Sequence, residues 1–274
     1  MIPILLKAAL PKLRAGSHLP DLSLVRHDVP VDLDHAASYA ALCGFPRKEA
    51  LPLPYPHLLA FGLHLEIMAD GSFPFPAIGT VHLENSITQH RPIAGTERLQ
   101  VTARPDNLRP HAKGQAFDLL TTVHSAGELV WEETSTFLRR GVSTGSTTEA
   151  GVSTGAALPS VPPTGTEWRL PGNLGRRYAG VSGDHNPIHL SRLTAKAFGF
   201  PRQIAHGMWS LARCVGALES RLPPSVRVDV AFKKPILLPG SVAFGSRPTA
   251  DGYGFSLSSP ESGAPHLVGH TVRA

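Results

Sequence analysis

The sequence predicts an α+β protein built from two similar halves, and three observations lead there. A helix-like apolar segment is followed by several β-rich segments, that order occurs twice, and a low-complexity stretch lies between the two occurrences. In the second half Met208, Leu211, Ala212, Val215 and Leu218 recur at i, i+3, i+4 and i+7, the spacing of a helix with one buried face. Its counterpart, residues 58–68, is apolar almost all round, which suits a helix enclosed by other structure. Strand-like runs follow at 81–89, 99–103, 115–124 and 128–138, and again at 226–233, 241–247, 253–258 and 266–272. Ser125-Ala126-Gly127 between two of these runs is a hairpin signal. A long helix followed by successive strands is the order of an antiparallel sheet wrapped on a helix.

The stretch 141–166 carries a single charge, Glu149, and no aromatic residue, and it contains GVSTG twice. Such a segment cannot bury enough surface to offset its ordering entropy and reads as a flexible linker. The expected organisation is therefore a first domain at 1–140, the linker at 141–166 and a second domain at 167–274. Short matches tie the halves together. Tyr39-Ala40-Ala41-Leu42-Cys43-Gly44 pairs with Tyr178-Ala179-Gly180-Val181-Ser182-Gly183, and Pro92-Ile93-Ala94-Gly95 with Pro235 to Gly240. Internal duplication is the economical explanation.

Composition narrows the function classes. With 274 residues, 42% of them hydrophobic, the chain can bury a substantial core. Its two cysteines, Cys43 and Cys214, cannot form a disulfide framework or a Cys-rich zinc site, and their apolar surroundings suit buried thiols of a reducing compartment. No uncharged apolar run approaches the roughly 20 residues of a membrane span. The N-terminal MIPILLKAALPKLR lacks the charge-first order of a secretory signal. A soluble, cytoplasmic protein without a membrane partner is expected. The surplus of 26 Lys+Arg over 21 Asp+Glu comes without a basic block or nucleic-acid motif, so no nucleic-acid partner is expected.

One stretch concentrates the chemistry: residues 178–189, YAGVSGDHNPIH. Gly183 before Asp184, and Asn186-Pro187 after it, mark a turn that cannot be regular helix. A turn can aim Asp184 and His189 at one spot, and a carboxylate and an imidazole converging on one water form a general acid/base pair. Further on, His206-Gly207-Met208 opens the apolar helix. Its first N–H groups are unpaired at the positive end of the dipole, and Gly207 leaves them open to a carbonyl oxygen that gains negative charge.

Y-A-x-x-S-G-D-x-N-P-I-H, then A-x-x-x-G-F from Ala195, then I-x-H-G-M from Ile204, resembles the (R)-specific enoyl-CoA hydratases, the MaoC-like dehydratases. The two-half layout is similar to their double-hotdog members. The resemblance implies a double hotdog, two antiparallel sheets each wrapped around a central helix. It also implies reversible syn addition of water to a trans-2-enoyl thioester of coenzyme A or acyl carrier protein, giving a (3R)-3-hydroxyacyl thioester. On matching positions Asp184 and His189 hold and activate the water, Asn186 supports their geometry, and the Gly207 N–H binds the thioester carbonyl. Met208, Ser210 and Arg202 are the expected substrate contacts, with Arg176, Arg177, Arg192 and Lys196 near Arg202 as further candidates for phosphate. No cofactor and no metal are implied, and homodimeric assembly is compatible with the family. In the first half Phe45 stands where Asp184 stands in the second, so one active site per chain is expected, with the first half as an apolar tunnel wall that Gly62 was expected to help line.

Simpler readings compete. Asp184 could cap the helix starting near Ser191, with His189 a satisfied loop histidine. His185 and His189 stand at i, i+4, but Pro187 breaks the helix that metal ligation at that spacing needs. The two G-x-S-x-G matches in the linker lack the flanking strand and helix of a nucleophile elbow. A hotdog acyl-thioesterase and a non-catalytic acyl-thioester binding subunit are the alternative functions; the intact Asp184/His189 pair argues against the second.

Overall fold

A computed structural model of the chain describes residues 18–76, 79–141, 158–159, 161–162 and 165–274. The N-terminal segment 1–17 and most of the predicted linker, with the serines of both G-x-S-x-G matches, lie outside the described residues.

The first helix of each half ends the same way. α1 (Leu33–Cys43) stops at Gly44 (φ 76°) and α3 (Leu174–Ser182) at Gly183 (φ 75°). In this left-handed conformation, which glycine adopts without steric penalty, the cap N–H turns back to the carbonyl of Ala40 or Ala179. The next residue is Phe45 in one half and Asp184 in the other. Phe45 is buried and stacks on Tyr39, whereas Asp184 leads into a loop, a short 3₁₀ turn at Pro187–His189 and helix α4 (Arg192–Ala197). The duplication read from the sequence is thus matched in backbone geometry, and the extra loop belongs to the second half alone.

The central helices are α2 (Pro56–Ala69), opened by Pro56, and α5 (Gly207–Leu218). The strands are β1 (Leu24–Pro30), β2 (Thr80–Gln89), β3 (Arg98–His111), β4 (Gly114–Ser125), β5 (Glu128–Arg140), β6 (Glu167–Leu170), β7 (Val226–Phe232), β8 (Gly240–Pro248), β9 (Gly252–Ser258) and β10 (Pro265–Arg273). They form one antiparallel sheet in the order β1-β3-β4-β5-β2-β7-β10-β9-β8-β6. The two sheets of the expected double hotdog meet edge to edge, because β2 pairs with β7 from Glu84↔Ala231 to Gln89↔Val226, and the Ser86 hydroxyl donates to Asp229 across the seam at 2.7 Å. Closing edge on edge satisfies two strands that would otherwise present open backbone groups.

The β4–β5 hairpin turns at Ala126 and Gly127, both at positive φ, as a tight type I′ connection requires. β3 runs well past the expected 99–103. The strand passes through Pro105 and Pro110 with a register shift between Asp106 and Arg109 and Asn107 at φ 55°. β1, α1 and β6 carried no sequence prediction; β1 and β6 are short strands at the two ends of the sheet. The end of the predicted linker is packed: Val161 is buried and its carbonyl accepts a hydrogen bond from the Ser256 hydroxyl at 2.8 Å. Cys43 and Cys214 are free and buried. Among the described residues no helix is long and apolar enough to cross a membrane.

Candidate active site

The Gly183 cap throws the chain out of α3 so that Asp184 begins a loop rather than another turn. The loop is tied locally: the Asp184 N–H donates to the Ser182 hydroxyl (3.1 Å), and the Asn186 N–H donates to the Asp184 carboxylate (3.0 Å). Asn186 caps the 3₁₀ turn by accepting from the Ile188 N–H. That turn swings His189 back to the start of α5. Nδ1 of His189 donates to the Ile204 carbonyl at 2.8 Å, which leaves Nε2 with a lone pair. His206, the residue before α5, stacks on His189 with ring centroids 3.7 Å apart. Its Nε2 donates to the Asp184 carbonyl (3.0 Å) and lies 3.7 Å from the Asp184 carboxylate.

These surroundings set the charges. Burial pushes the Asp184 carboxyl up, but His206, His189 and the Asn186 N–H outweigh it and hold the group below the ordinary carboxylate value. Burial pulls His189 below its ordinary value, only partly countered by Asp184. Burial, with His189 beside it, pulls His206 down to about 3. At neutral pH the site therefore offers a carboxylate next to a neutral imidazole, the protonation states that accept a proton from water.

Gly207 is the first residue of α5, so its N–H has no partner within the helix. A Cβ at this position would stand 3.1 Å from the Phe232 ring, so only glycine leaves this approach unobstructed. Ser210 is buried on the cavity side and its hydroxyl donates to the His206 carbonyl (3.2 Å), so its proton serves the helix.

Asp184, Asn186, His189, Gly207, Met208 and Ser210 all line one cavity of about 980 Å³ that reaches into both halves. Arg202 does not: it borders a smaller depression with Arg192, Pro201 and Pro239. None of Arg176, Arg177, Arg192 and Lys196 reaches the large cavity either, and Arg176 instead donates to the Leu190 carbonyl. The cations on the cavity wall are Arg109, Lys113, Arg140, Lys233 and Lys234, from strands and a turn that sequence spacing does not connect to the motif. Gly62 also lies elsewhere, since a side chain there would meet the Arg26 guanidinium at 2.7 Å. From α2 the cavity receives His57, Phe61, His64, Leu65 and Met68. The wall of the first half is thus partly polar, not the apolar tunnel expected.

His206 is a direct partner of Asp184 that motif spacing does not single out; its place immediately before Gly207 is the available signal. The ligating atoms of Asp184, His189 and His206 all lie within 4.8 Å of one another, a spacing open to a cation as well as to a water. His185, the other member of the i, i+4 histidine pair, also borders this cavity but is exposed, with its Nδ1 bonded to the Gly183 carbonyl.

Fold and site together define a hotdog hydratase–dehydratase, and comparison with known proteins agrees. Residues 172–246 match the MaoC like domain. The chain is 38% identical over 265 residues to 3-hydroxyacyl-thioester dehydratase X of Mycobacterium tuberculosis, covering 97% of this chain and 94% of that protein. It superposes on the crystal structure of HtdX from Mycobacterium tuberculosis with a TM-score of 0.81 at 35% identity, covering 92% of this chain and 100% of that one. A MaoC-like dehydratase from Phytophthora capsici shares the fold, with a TM-score of 0.72 at 20% identity over 93% of this chain and 96% of that one. The chain belongs to the MaoC-like dehydratase family.

Proposed function

We propose that the protein hydrates trans-2-enoyl thioesters reversibly to (3R)-3-hydroxyacyl thioesters, on coenzyme A or an acyl carrier protein, in fatty-acid metabolism. The observation that supports this most directly is the convergence of the Asp184 carboxylate, the His189 imidazole and the Gly207 N–H on one cavity wall. Water held between Asp184 and His189 gives its oxygen to C3 and a proton to C2 of the same face, with His189 Nε2 taking and returning the proton. The charge that develops on the thioester oxygen meets the Gly207 N–H and the positive end of α5. Asn186 positions both groups by shaping the loop. Lys113, Arg140, Lys233 and Lys234 on the cavity wall suit the phosphates of the carrier.

The test is loss of crotonyl-CoA absorbance by the purified protein, with chiral analysis of the product and a thiol assay in parallel. Hydration to the (3R) product without thiol release, unaffected by a chelator, is the expected result. The (3S) product, release of free coenzyme A as a thioesterase would give, or loss of activity with chelator overturns the reading.

A further inference from the structure

Under α5, the sheet presents Val228, Val230, Phe255 and Leu257, all buried. Under α2, the duplicate position is polar. Thr121 and Glu133 stand opposite each other on β4 and β5, and Asn85 and Ser135 on β2 and β5. His57 Nδ1 lies 2.9 Å from both Glu133 oxygens, and Asn85 donates to Glu133 at 2.7 Å and to Ser135 at 3.0 Å. His64 Nε2 meets the Thr121 hydroxyl at 2.7 Å. The second half shows that this fold packs well with an apolar floor. A buried ion pair adds little stability that such a floor would not supply, so the fold does not explain the cluster.

The cluster reaches the cavity through α2. His57, Phe61, His64, Leu65 and Met68 form one stripe of that helix along the cavity wall. Phe61 neighbours Gly183, the residue before Asp184, at 3.9 Å from where a glycine Cβ would stand. His57 is therefore one helical turn from the residue that meets the catalytic loop, on the wall that the first half gives the cavity. Burial pushes the Glu133 carboxyl up, but His57, His64 and Asn85 outweigh it and bring it down to about 2, so it is ionised and accepts a hydrogen bond from His57 Nδ1. With Nδ1 engaged by Glu133, Nε2 is the ring nitrogen left to meet a group in the cavity that His57 lines, and it is an acceptor when Nδ1 carries the ring's one proton. Asn85 Oδ1 and His64 Nδ1 are buried without a partner among the described residues.

We propose that the His57–Glu133 pair is a specificity subsite for a hydroxyl group on the acyl chain beyond the reacting carbons, so that the preferred substrates are hydroxylated enoyl thioesters. The proposal rests on the hydratase reading of Asp184 and His189. A plain alkyl chain leaves the polar wall unpaired, which is the asymmetry by which a hydrogen-bonding site rejects an analogue lacking the group.

The test compares trans-2-octenoyl-CoA with its 5-, 6- and 7-hydroxy derivatives and the matching ketones, in wild type, His57→Leu and Glu133→Gln. The expected result is a kcat/KM about tenfold higher for one hydroxy isomer than for the plain chain, carried mainly by KM and removed in both variants. Because the ratio is read within each variant, a general loss of activity cancels, and the wild-type series stands if a variant does not fold. No favoured hydroxy isomer, a better ketone, or a preference that survives both substitutions overturns the proposal. Calorimetric binding of hydroxyoctanoyl-CoA against octanoyl-CoA separates it from the hydratase reading. Tighter binding of the hydroxylated chain by a protein that hydrates nothing would remove the reaction and leave the subsite.

Discussion

In the proposed reaction Asp184 and His189 depend on the groups that hold them. The Asn186 N–H and His206 keep the carboxylate ionised, and the Ile204 carbonyl fixes the imidazole tautomer. Asp184→Asn keeps the size and much of the hydrogen bonding but removes the charge that holds the water, and His189→Gln removes the imidazole that takes and returns its proton. Each should lower kcat by about 10²–10⁴-fold in single-turnover assays, with circular dichroism unchanged. Because the proposed reaction has both act on one water, the double variant should lose far less than the product of the two. A folded Asp184→Asn within a few-fold of wild type would leave only a capping role for Asp184. The depressed His189 also has a signature. The imidazole stays neutral below its ordinary value of 6.5, so the acid limb of kcat/KM against pH should fall below that value. A limb at or above 6.5 would mean that another group controls the rate.

At the scale of elements, the two central helices have different tasks. The N-terminus of α5 supplies the Gly207 N–H, and Phe232 of β7 closes over the same spot. Gly207→Ala already brings a Cβ to 3.1 Å from that ring, and Gly207→Val must displace it. Val should therefore reduce kcat by about 10²–10³-fold, the worth of one oxyanion donor, and Ala by less, with melting curves confirming that both fold. Equal and small effects would show that the thioester oxygen lies elsewhere. α2 instead lines the cavity from the first half. Its cavity stripe runs through 57, 61, 64, 65 and 68, and position 62 faces outward to Arg26, which is why an enlargement at Gly62 cannot reshape the cavity.

At the scale of the molecule, the cavity runs between halves that share one sheet, so buried histidines accumulate in the interior. Burial brings His64 down to about 4 and His206 down to about 3. Both values lie below the 6.5 of the unfolded chain. Below pH 6.5 the unfolded chain therefore binds protons that the folded one refuses, and stability is lost as pH falls toward those values. Each contributes up to about 1.4 kcal/mol per pH unit, so urea midpoints should drop steeply between pH 6 and 4. Glu133 and Glu97, both held at about 2, act in the same direction below pH 4.5. A flat profile would show that these rings are protonated in the folded protein.

Asp184, Asn186, His189 and Gly207 were legible in the chain because each depends on local backbone: a glycine cap, a proline-locked turn and a helix start carry their own residue signals. The helix order, the duplication and the hairpin at Ala126-Gly127 were legible for the same reason, since period and turn chemistry are short-range. What the fold alone decided is long-range. The β2–β7 seam joins residues about 145 apart in the chain, from Glu84 to Ala231, and edge pairing leaves no mark in either strand by itself. The cavity cations come from β3, β5 and the residues after β7, so clustering in sequence pointed to Arg202 and its neighbours while clustering in space chose others. Glu133 on β5 reads as a solvated strand residue until α2 is laid across it and His57 meets its carboxylate. Local conformational preference can be read from neighbours in the chain; which side chains share one dry cavity depends on how the sheet closes around the helices.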